Sequence, residues 1–243
     1  MNKIYVVGIG PGNYEKMTIE ASETLKKCDV IAGYTVYIDL VKNHFGDKEF
    51  LSTPMKREKE RCVLAFEKAN EGKTVAMICS GDAGVYGMAG LIYELSEQYP
   101  KTSIEVIPGT TAAISGAAVL GAPLIHDFCL ISLSDLLTEW SLIEKRLDMA
   151  SQGDFVICLY NPSSIKRHDY LQKACDIMLQ SKSADTVCGI VRKIGREGEE
   201  MEIMDLKTLR DTKVDMFTTC FIGNSQTKVI GGKMVTPRGY KNV

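Results

Sequence analysis

The stretch Cys79-Ser-Gly-Asp-Ala-Gly-Val-Tyr-Gly-Met-Ala-Gly90 constrains this chain more than any other. Before it runs an unbroken apolar segment, Thr74-Val-Ala-Met-Ile-Cys79, of the kind that fills a strand buried on both faces of a sheet. After it, Met88, Leu91, Ile92 and Leu95 recur at helical spacing. A strand that breaks into Ser80-Gly81-Asp82, with Gly84 and Gly87 close behind, brings bare backbone to the strand's carboxyl end. In open α/β sheets that is the edge where ligands bind. Taken alone, the stretch fits a tight strand-to-helix turn equally well.

The same pattern occurs twice more. Lys3-Ile-Tyr-Val-Val7 ends in Gly8-Ile-Gly-Pro-Gly12, after which Met17, Ala21, Leu25 and Cys28 take helical spacing. Ser103-Ile-Glu-Val-Ile107 ends in Pro108-Gly-Thr-Thr-Ala112 and leads into a small-residue helix over 113–120, closed by Gly121. Adjacent threonines at a helix start offer hydroxyls and free amides, to a ligand or simply as an N-cap. A dinucleotide fingerprint fits these loops badly. Pro11 removes an amide donor, Gly12 arrives one residue early, and Asp29 precedes the second strand (29–33) instead of ending it. A nicotinamide or flavin dehydrogenase is therefore disfavoured.

Between these units a helix over 56–70 puts Cys62, Ala65, Phe66 and Ala69 on one face, and Lys56, Arg57, Lys59 and Arg61 read as its solvated side. From Ala122 the pattern restarts, with strands over 128–132, 154–160, 186–191, 199–204 and 216–222. The last two are close in sequence and are expected to pair antiparallel. Asn161-Pro162 breaks the second of the five, and Ser163 or Ser164 is placed to cap a helix running to about Gln180. Lys166, Arg167 and His168 near its start read as solvent-facing. The fold class is α/β with two domains: residues 1–112 around a mainly parallel sheet, and 113–243 around a mixed one. The strand-end loops are expected to share a cleft between the halves.

Composition removes several classes. With 29 basic and 31 acidic side chains and a formal charge of −2, broad nucleic-acid binding is disfavoured. No apolar run approaches a membrane span, and the first residues pass straight into a strand without a signal-peptide pattern, so a cytoplasmic setting is expected. The eight cysteines include no Cys-x-x-Cys pair, so neither a zinc site nor a dithiol is indicated. Most lie in apolar runs and read as small buried hydrophobes.

Four motifs in order, Gly8-x-Gly-Pro-Gly12, Ser80-Gly-Asp82 with Val85-Tyr86, Pro108-Gly-x-Thr-Ala112 and the strand ending at Asn161-Pro162, resemble the tetrapyrrole (corrin/porphyrin) methylases. Gly81 to Ala89, His126-Asp-Phe, Ser132-Leu-Ser-Asp-Leu-Leu137, Trp140, Leu159-Tyr-Asn-Pro162 and Thr236-Pro-Arg-Gly-Tyr240 narrow the resemblance to the precorrin-3B / cobalt-factor III C17-methyltransferases of cobalamin biosynthesis. The resemblance covers essentially the whole chain. It implies a homodimer, S-adenosyl-L-methionine as methyl donor with S-adenosyl-L-homocysteine as product, and a carboxylate-rich corrinoid precursor methylated at C17 with ring contraction. By position it implies cofactor contacts at Gly10, Pro11, Ser80, Gly81, Asp82, Val85, Tyr86, Thr111, Ala112, Asn161 and the backbone near Ile194, where relatives usually carry a smaller residue.

Methyl transfer from a sulfonium is displacement at carbon, so the protein's main task is alignment, with reacting atoms about 3–3.5 Å apart. Rigid glycine loops suit that task, and no metal set or nucleophile–base pair is required. Asp82 is a catalytic candidate if it biases the ring's electrons, or else it caps the helix that follows. Ring contraction moves protons, which makes His126 the second candidate, although a lone histidine is more often structural. Ser132, Ser134, Asp135, Arg192 and Arg238 are the candidate substrate contacts, the arginines for peripheral carboxylates. A same-fold methylase acting on another ring carbon and a non-catalytic nucleotide-binding module are the competing readings. Whether the substrate carries cobalt stays open, with a lean toward the cobalt route. Gly81→Val is expected to abolish cofactor binding and leave the fold intact.

Overall fold

The three strand–glycine–helix repeats fold side by side. In the computed structural model, which describes residues 2–164 and 167–240, the chain divides into two units, Met1–Ala112 and Ala113–Val243. The first unit carries β1 (Asn2–Gly8), α1 (Ile19–Lys27), β2 (Val30–Tyr34), α2 (Thr35–Val41), β3 (Glu49–Thr53), α3 (Glu58–Asn70), β4 (Thr74–Cys79), α4 (Ala89–Ser96) and β5 (Thr102–Ile107). Its strands form one sheet in the order β3-β2-β4-β1-β5, every neighbouring pair parallel.

Both faces of that sheet are covered, which is why its strands read as continuous apolar runs. Ile4, Val6 and Met77 pack with Phe66 of α3 and Ile92 of α4 on one side. Val7 and Ile78 pack with Leu25 of α1 and Ile38 of α2 on the other. Thr18 caps α1 by accepting from the Ala21 amide at 3.1 Å. The edge strand β3 was invisible to apolar periodicity, because it is only half-buried and opens on the exposed Glu49.

The second unit carries α5 (Ala112–Leu120), β6 (Gly121–Ala122), β7 (Phe128–Ser132), α6 (Trp140–Gln152), β8 (Val156–Tyr160), α7 (Tyr170–Met178), β9 (Val187–Arg192), β10 (Glu200–Asp205), α8 (Leu206–Asp211), β11 (Thr218–Ile222), β12 (Lys228–Ile230) and β13 (Lys233–Val235). Its main sheet, β10-β9-β11-β8-β7, is mixed: only β7 and β8 are parallel neighbours. A small sheet, β12-β13-β6, completes the unit. Ile143, Leu147, Leu171, Met178, Leu206 and Leu209 of α6 to α8 fill the core on one face. The small residues of α5 let it lie tightly on the other face, where a Cβ at Gly116 would meet the Phe221 ring at 2.8 Å.

Three expectations change. The strands over 199–204 and 216–222 do not pair with each other: β10 pairs with β9, and β11 inserts between β9 and β8. The intervening α8 carries the chain back over β9, so closeness in sequence does not become a hairpin. The helix after Asn161 starts at Tyr170, not beside Ser163 or Ser164. Arg61 is not on a solvated face but 3 % exposed. Lys166 lies outside the described residues.

One buried cation holds the second unit together. The Lys182 ammonium donates to the carbonyls of Phe155 and Gly223, each at 3.0 Å, and lies 3.6 Å from the Asp154 carboxylate. Burial pulls its pKa below the ordinary lysine value.

Candidate active site

Sheet order places the three glycine loops together, because β4, β1 and β5 are neighbours and all run the same way. The loop after β1 and the loop after β4 exchange two hydrogen bonds: the Gly10 amide donates to Gly81 O at 3.0 Å, and the Gly81 amide to Gly10 O at 2.7 Å. The contact is too close for side chains. A Cβ at Gly8 would lie 2.6 Å from the Gly109 nitrogen and 2.8 Å from Gly81 O. Gly81 itself has φ of +72°, a conformation strongly unfavourable for β-branched residues. Gly81→Val would therefore strain the backbone there whatever it did to a ligand, so a loss of binding in that variant would not by itself report on a ligand contact.

Asp82 ties this edge together. One carboxylate oxygen accepts from the amides of Gly84 at 2.8 Å and Val85 at 3.0 Å, and the other accepts from Gly109 at 3.0 Å. It thus shapes its own loop and joins that loop to the one after β5. It does not cap the following helix, which starts seven residues later at Ala89. Tyr86 is 55 % exposed with φ of +54°, and Val85 is half-buried beside it. Pro11 is buried, while Ser80, Thr111 and Ala112 are half-buried around the same edge. Beneath it, burial pushes the Cys79 thiol up to about 11, and the thiol sulfur accepts the Met88 amide at 3.3 Å. That thiol is not a nucleophile at neutral pH.

The second unit builds its corresponding edge from side chains. β7 ends at Ser132 and its parallel neighbour β8 ends at Tyr160, followed by Asn161 with φ of +52°. Asn161 Nδ2 donates to Ser132 Oγ at 2.9 Å, and the same oxygen accepts the Ser134 amide at 3.2 Å. Arg167 Nη1 donates to Ser134 Oγ at 2.5 Å and pairs with Asp135 at 3.4 Å. Tyr170 donates its hydroxyl to the other Asp135 oxygen at 2.7 Å, which is the main reason the Asp135 carboxyl sits below the usual carboxylate range. The Tyr160 hydroxyl accepts the Ala113 amide at 2.7 Å, fixing the start of α5.

Four predicted residues, Ser132, Ser134, Asp135 and Asn161, thus meet in one network. The others of this unit do not join it. His126 precedes β7, at the opposite end of the strand from Ser132, roughly 20 Å away at about 3.3 Å per residue. Its Nε2 donates to Pro237 O at 3.0 Å. Arg238 is exposed beside that contact. Arg192 pairs with Glu202 of β10 at 3.1 Å and donates to Lys213 O. Ile194 is buried, with its Cδ1 2.9 Å from where a Cβ on Gly116 would stand. A bulky side chain is therefore accommodated there by a glycine opposite.

Two arginines escaped the sequence reading. Arg167 was placed in solvent, yet its side chain is 14 % exposed and organises the network. Arg61 falls on the same helical stripe as Cys62, Ala65, Phe66 and Ala69, and that position was the available signal. Among the described residues, no group of three or more His, Cys, Asp or Glu is arranged to hold a metal ion.

Comparison with known proteins supplies the rest. The family model for tetrapyrrole (corrin/porphyrin) methylases matches residues 3–210. The chain belongs to this family. It is 50 % identical over 236 residues to a probable cobalt-factor III C(17)-methyltransferase of Salmonella typhimurium, covering 97 % of this chain and 98 % of that protein. Among solved structures, the methyltransferase CobJ matches with a TM-score of 0.90 and 33 % identity, over 98 % of this chain and all of that one. A uroporphyrin-III C-methyltransferase from Thermus thermophilus, solved with S-adenosylhomocysteine, shares the methylase fold at a TM-score of 0.70 and 18 % identity, over 91 % of this chain and 97 % of that one.

Proposed function

We propose that this protein is an S-adenosylmethionine-dependent methyltransferase that methylates C17 of cobalt-factor III, or of its metal-free counterpart precorrin-3B. The reaction is coupled to ring contraction and yields (cobalt-)precorrin-4 on the route to cobalamin. The observation that carries this reading is the 50 % identity, over nearly the full length of both chains, to a C17-methyltransferase. The backbone-lined edge after β1, β4 and β5 supports it, because the residues there fit a nucleoside sulfonium. They offer glycine backbone for close approach and a half-buried valine and threonine. When bound, the donor supplies an already activated methyl, so the chain has only to orient it.

In this reading Gly10, Pro11, Ser80, Gly81, Val85, Tyr86, Thr111 and Ala112 line the donor site. Asp82 acts as a positioning residue, since both of its oxygens are committed to amides. Ser132 and Ser134 face the macrocycle, and Asn161 holds Ser132 in place. Asp135 stays charged and would repel the substrate's carboxylates, so its part is to aim Arg167. His126 serves the packing of the C-terminal segment through Pro237. The protein works in the cytosol as a homodimer. No described helix is long and apolar enough to cross a membrane, and the fully exposed Leu137 beside Leu136 is apolar surface for a second copy to cover.

Calorimetric titration with S-adenosylmethionine, S-adenosylhomocysteine and NAD tests the class. Binding of both sulfur ligands and not NAD is expected. Binding of NAD alone contradicts the proposal.

A further inference from the structure

Arg61 lies near the start of α3, and its guanidinium sits at the carboxyl edge of the first sheet. Its Nε donates to Thr53 Oγ1 at 2.8 Å at the end of β3, and its Nη2 donates to Pro54 O at 3.2 Å. The Tyr34 ring, at the end of β2, lies 6.0 Å away. Its Nη1 meets only the Met88 thioether, at 4.0 Å, in the loop that follows β4. Sulfur is a weak acceptor, so three of the five N–H groups of Arg61, a residue only 3 % exposed, have no oxygen partner among the described residues. No carboxylate among the described residues pairs with it either.

A buried cation left this way is costly. The chain's other deeply buried cation shows the usual arrangement: Lys182 has two carbonyls and a carboxylate around it. Thr53 and Pro54 account for two of the five N–H groups of Arg61, and a neutral side chain could pack in that place. What they leave over is the face of the guanidinium turned toward the Ser80–Met88 loop.

We infer that Arg61 is an anion subsite, taking a carboxylate of a ligand bound at this edge after Met88 swings off Nη1. Met88 suits that part, being half-buried and unbranched, with three rotatable side-chain bonds. Guanidinium and carboxylate match as a two-point, charge-assisted pair, and such a pair is strong where water is excluded. The inference rests on the methyltransferase reading, which supplies two sources of carboxylate: the acidic side chains on the rim of the macrocycle and the amino-acid end of the methyl donor.

The test compares the full chain with Arg61→Met and Arg61→Lys. Three quantities are read: thermal midpoint, affinity for S-adenosylhomocysteine by calorimetry, and affinity for cobalt-factor III by difference absorbance. In Arg61→Met the midpoint is expected to hold or rise, because an unpaired buried charge is gone. Affinity for one ligand is expected to fall tenfold or more, with Arg61→Lys restoring only part of it. Loss confined to cobalt-factor III assigns the subsite to the macrocycle; loss confined to S-adenosylhomocysteine assigns it to the donor. A lowered midpoint with both affinities unchanged overturns the inference and leaves Arg61 a structural tie. Failure of the unaltered protein to bind either ligand would instead count against the proposed function.

Discussion

The carboxyl edges of the two sheets are built by opposite means. In the first unit the edge is backbone: glycine loops bonded to one another at 2.7 and 3.0 Å, with one aspartate holding three amides. In the second unit it is side chains: Ser132, Ser134, Asp135, Asn161, Arg167 and Tyr170 in a hydrogen-bonded network. A backbone edge is rigid and tolerates little change, which suits a donor that must be held in line. A side-chain edge can be altered one group at a time, and it suits the recognition of one carboxylate-rich macrocycle among several.

If the contrast is right, the largest effects come from the backbone edge and act on the fold. Gly8→Ala forces a methyl to within 2.6 Å of the Gly109 nitrogen, and retreat would break the bonds that tie the loop after β1 to Gly81 and Gly109 to Asp82. It should cost about 3 kcal/mol by denaturant unfolding, at the upper end of overpacking penalties. A loss under about 0.5 kcal/mol would show this edge to be more pliable than its geometry implies. Asp82→Ala comes next, at about 2 kcal/mol, because three amides lose a charged acceptor. S-adenosylhomocysteine affinity should fall in that variant as the loop loses its shape, and calorimetry would show it.

The side-chain edge should answer differently. Arg167→Ala should change stability by less than about 1 kcal/mol, as expected for a pair that is part-exposed. Absorbance titration should show cobalt-factor III binding weakened about tenfold, near 1.4 kcal/mol, with S-adenosylhomocysteine binding unaltered. Weakened donor binding would erase the division of labour between the edges.

The smallest effect is a titration. The Tyr170 hydroxyl is the leading cause of the depressed Asp135 pKa, so Tyr170→Phe should raise that pKa toward the ordinary aspartate value. A depressed carboxyl pKa gives stability that is complete above the unfolded value and lost as pH falls through the folded one. The variant should therefore be the less stable of the two at pH 7, where the contribution is complete, and the difference should close as pH falls through the acid range. Carbonyl NMR of Asp135 across the acid range reads this directly, and an unmoved titration would remove Tyr170 from the network.

This contrast also explains what the sequence could convey. The first sheet was legible because a strand buried on both faces must be apolar throughout, and loops that touch backbone to backbone must be glycine. The edge strand β3 obeys neither rule and was missed. In the second unit the five strands of the main sheet were found and the short strands β6, β12 and β13 were not; the pairing of the five was also missed, since the partners of β11 depend on how α8 returns the chain across β9. Ser132, Ser134, Asp135 and Asn161 stood out as motif residues, yet the arginine that joins them did not. Nothing local distinguishes Arg167 from a surface cation, because Ser134 and Asp135, the partners that bring it into the network, lie 33 and 32 positions earlier in the chain. Arg61 was legible in principle, as a charge on an apolar helical stripe, and was overlooked because charges beside it, such as Arg57, are exposed.

The central claim is that the backbone edge presents a methyl donor to one carbon of one macrocycle. The most direct test is a single incubation of the protein with cobalt-factor III and donor carrying a 13C-methyl group, followed by NMR of the product. The label should appear at C17 of a ring-contracted macrocycle. Label at any other carbon, or no transfer from a donor that binds, would contradict it.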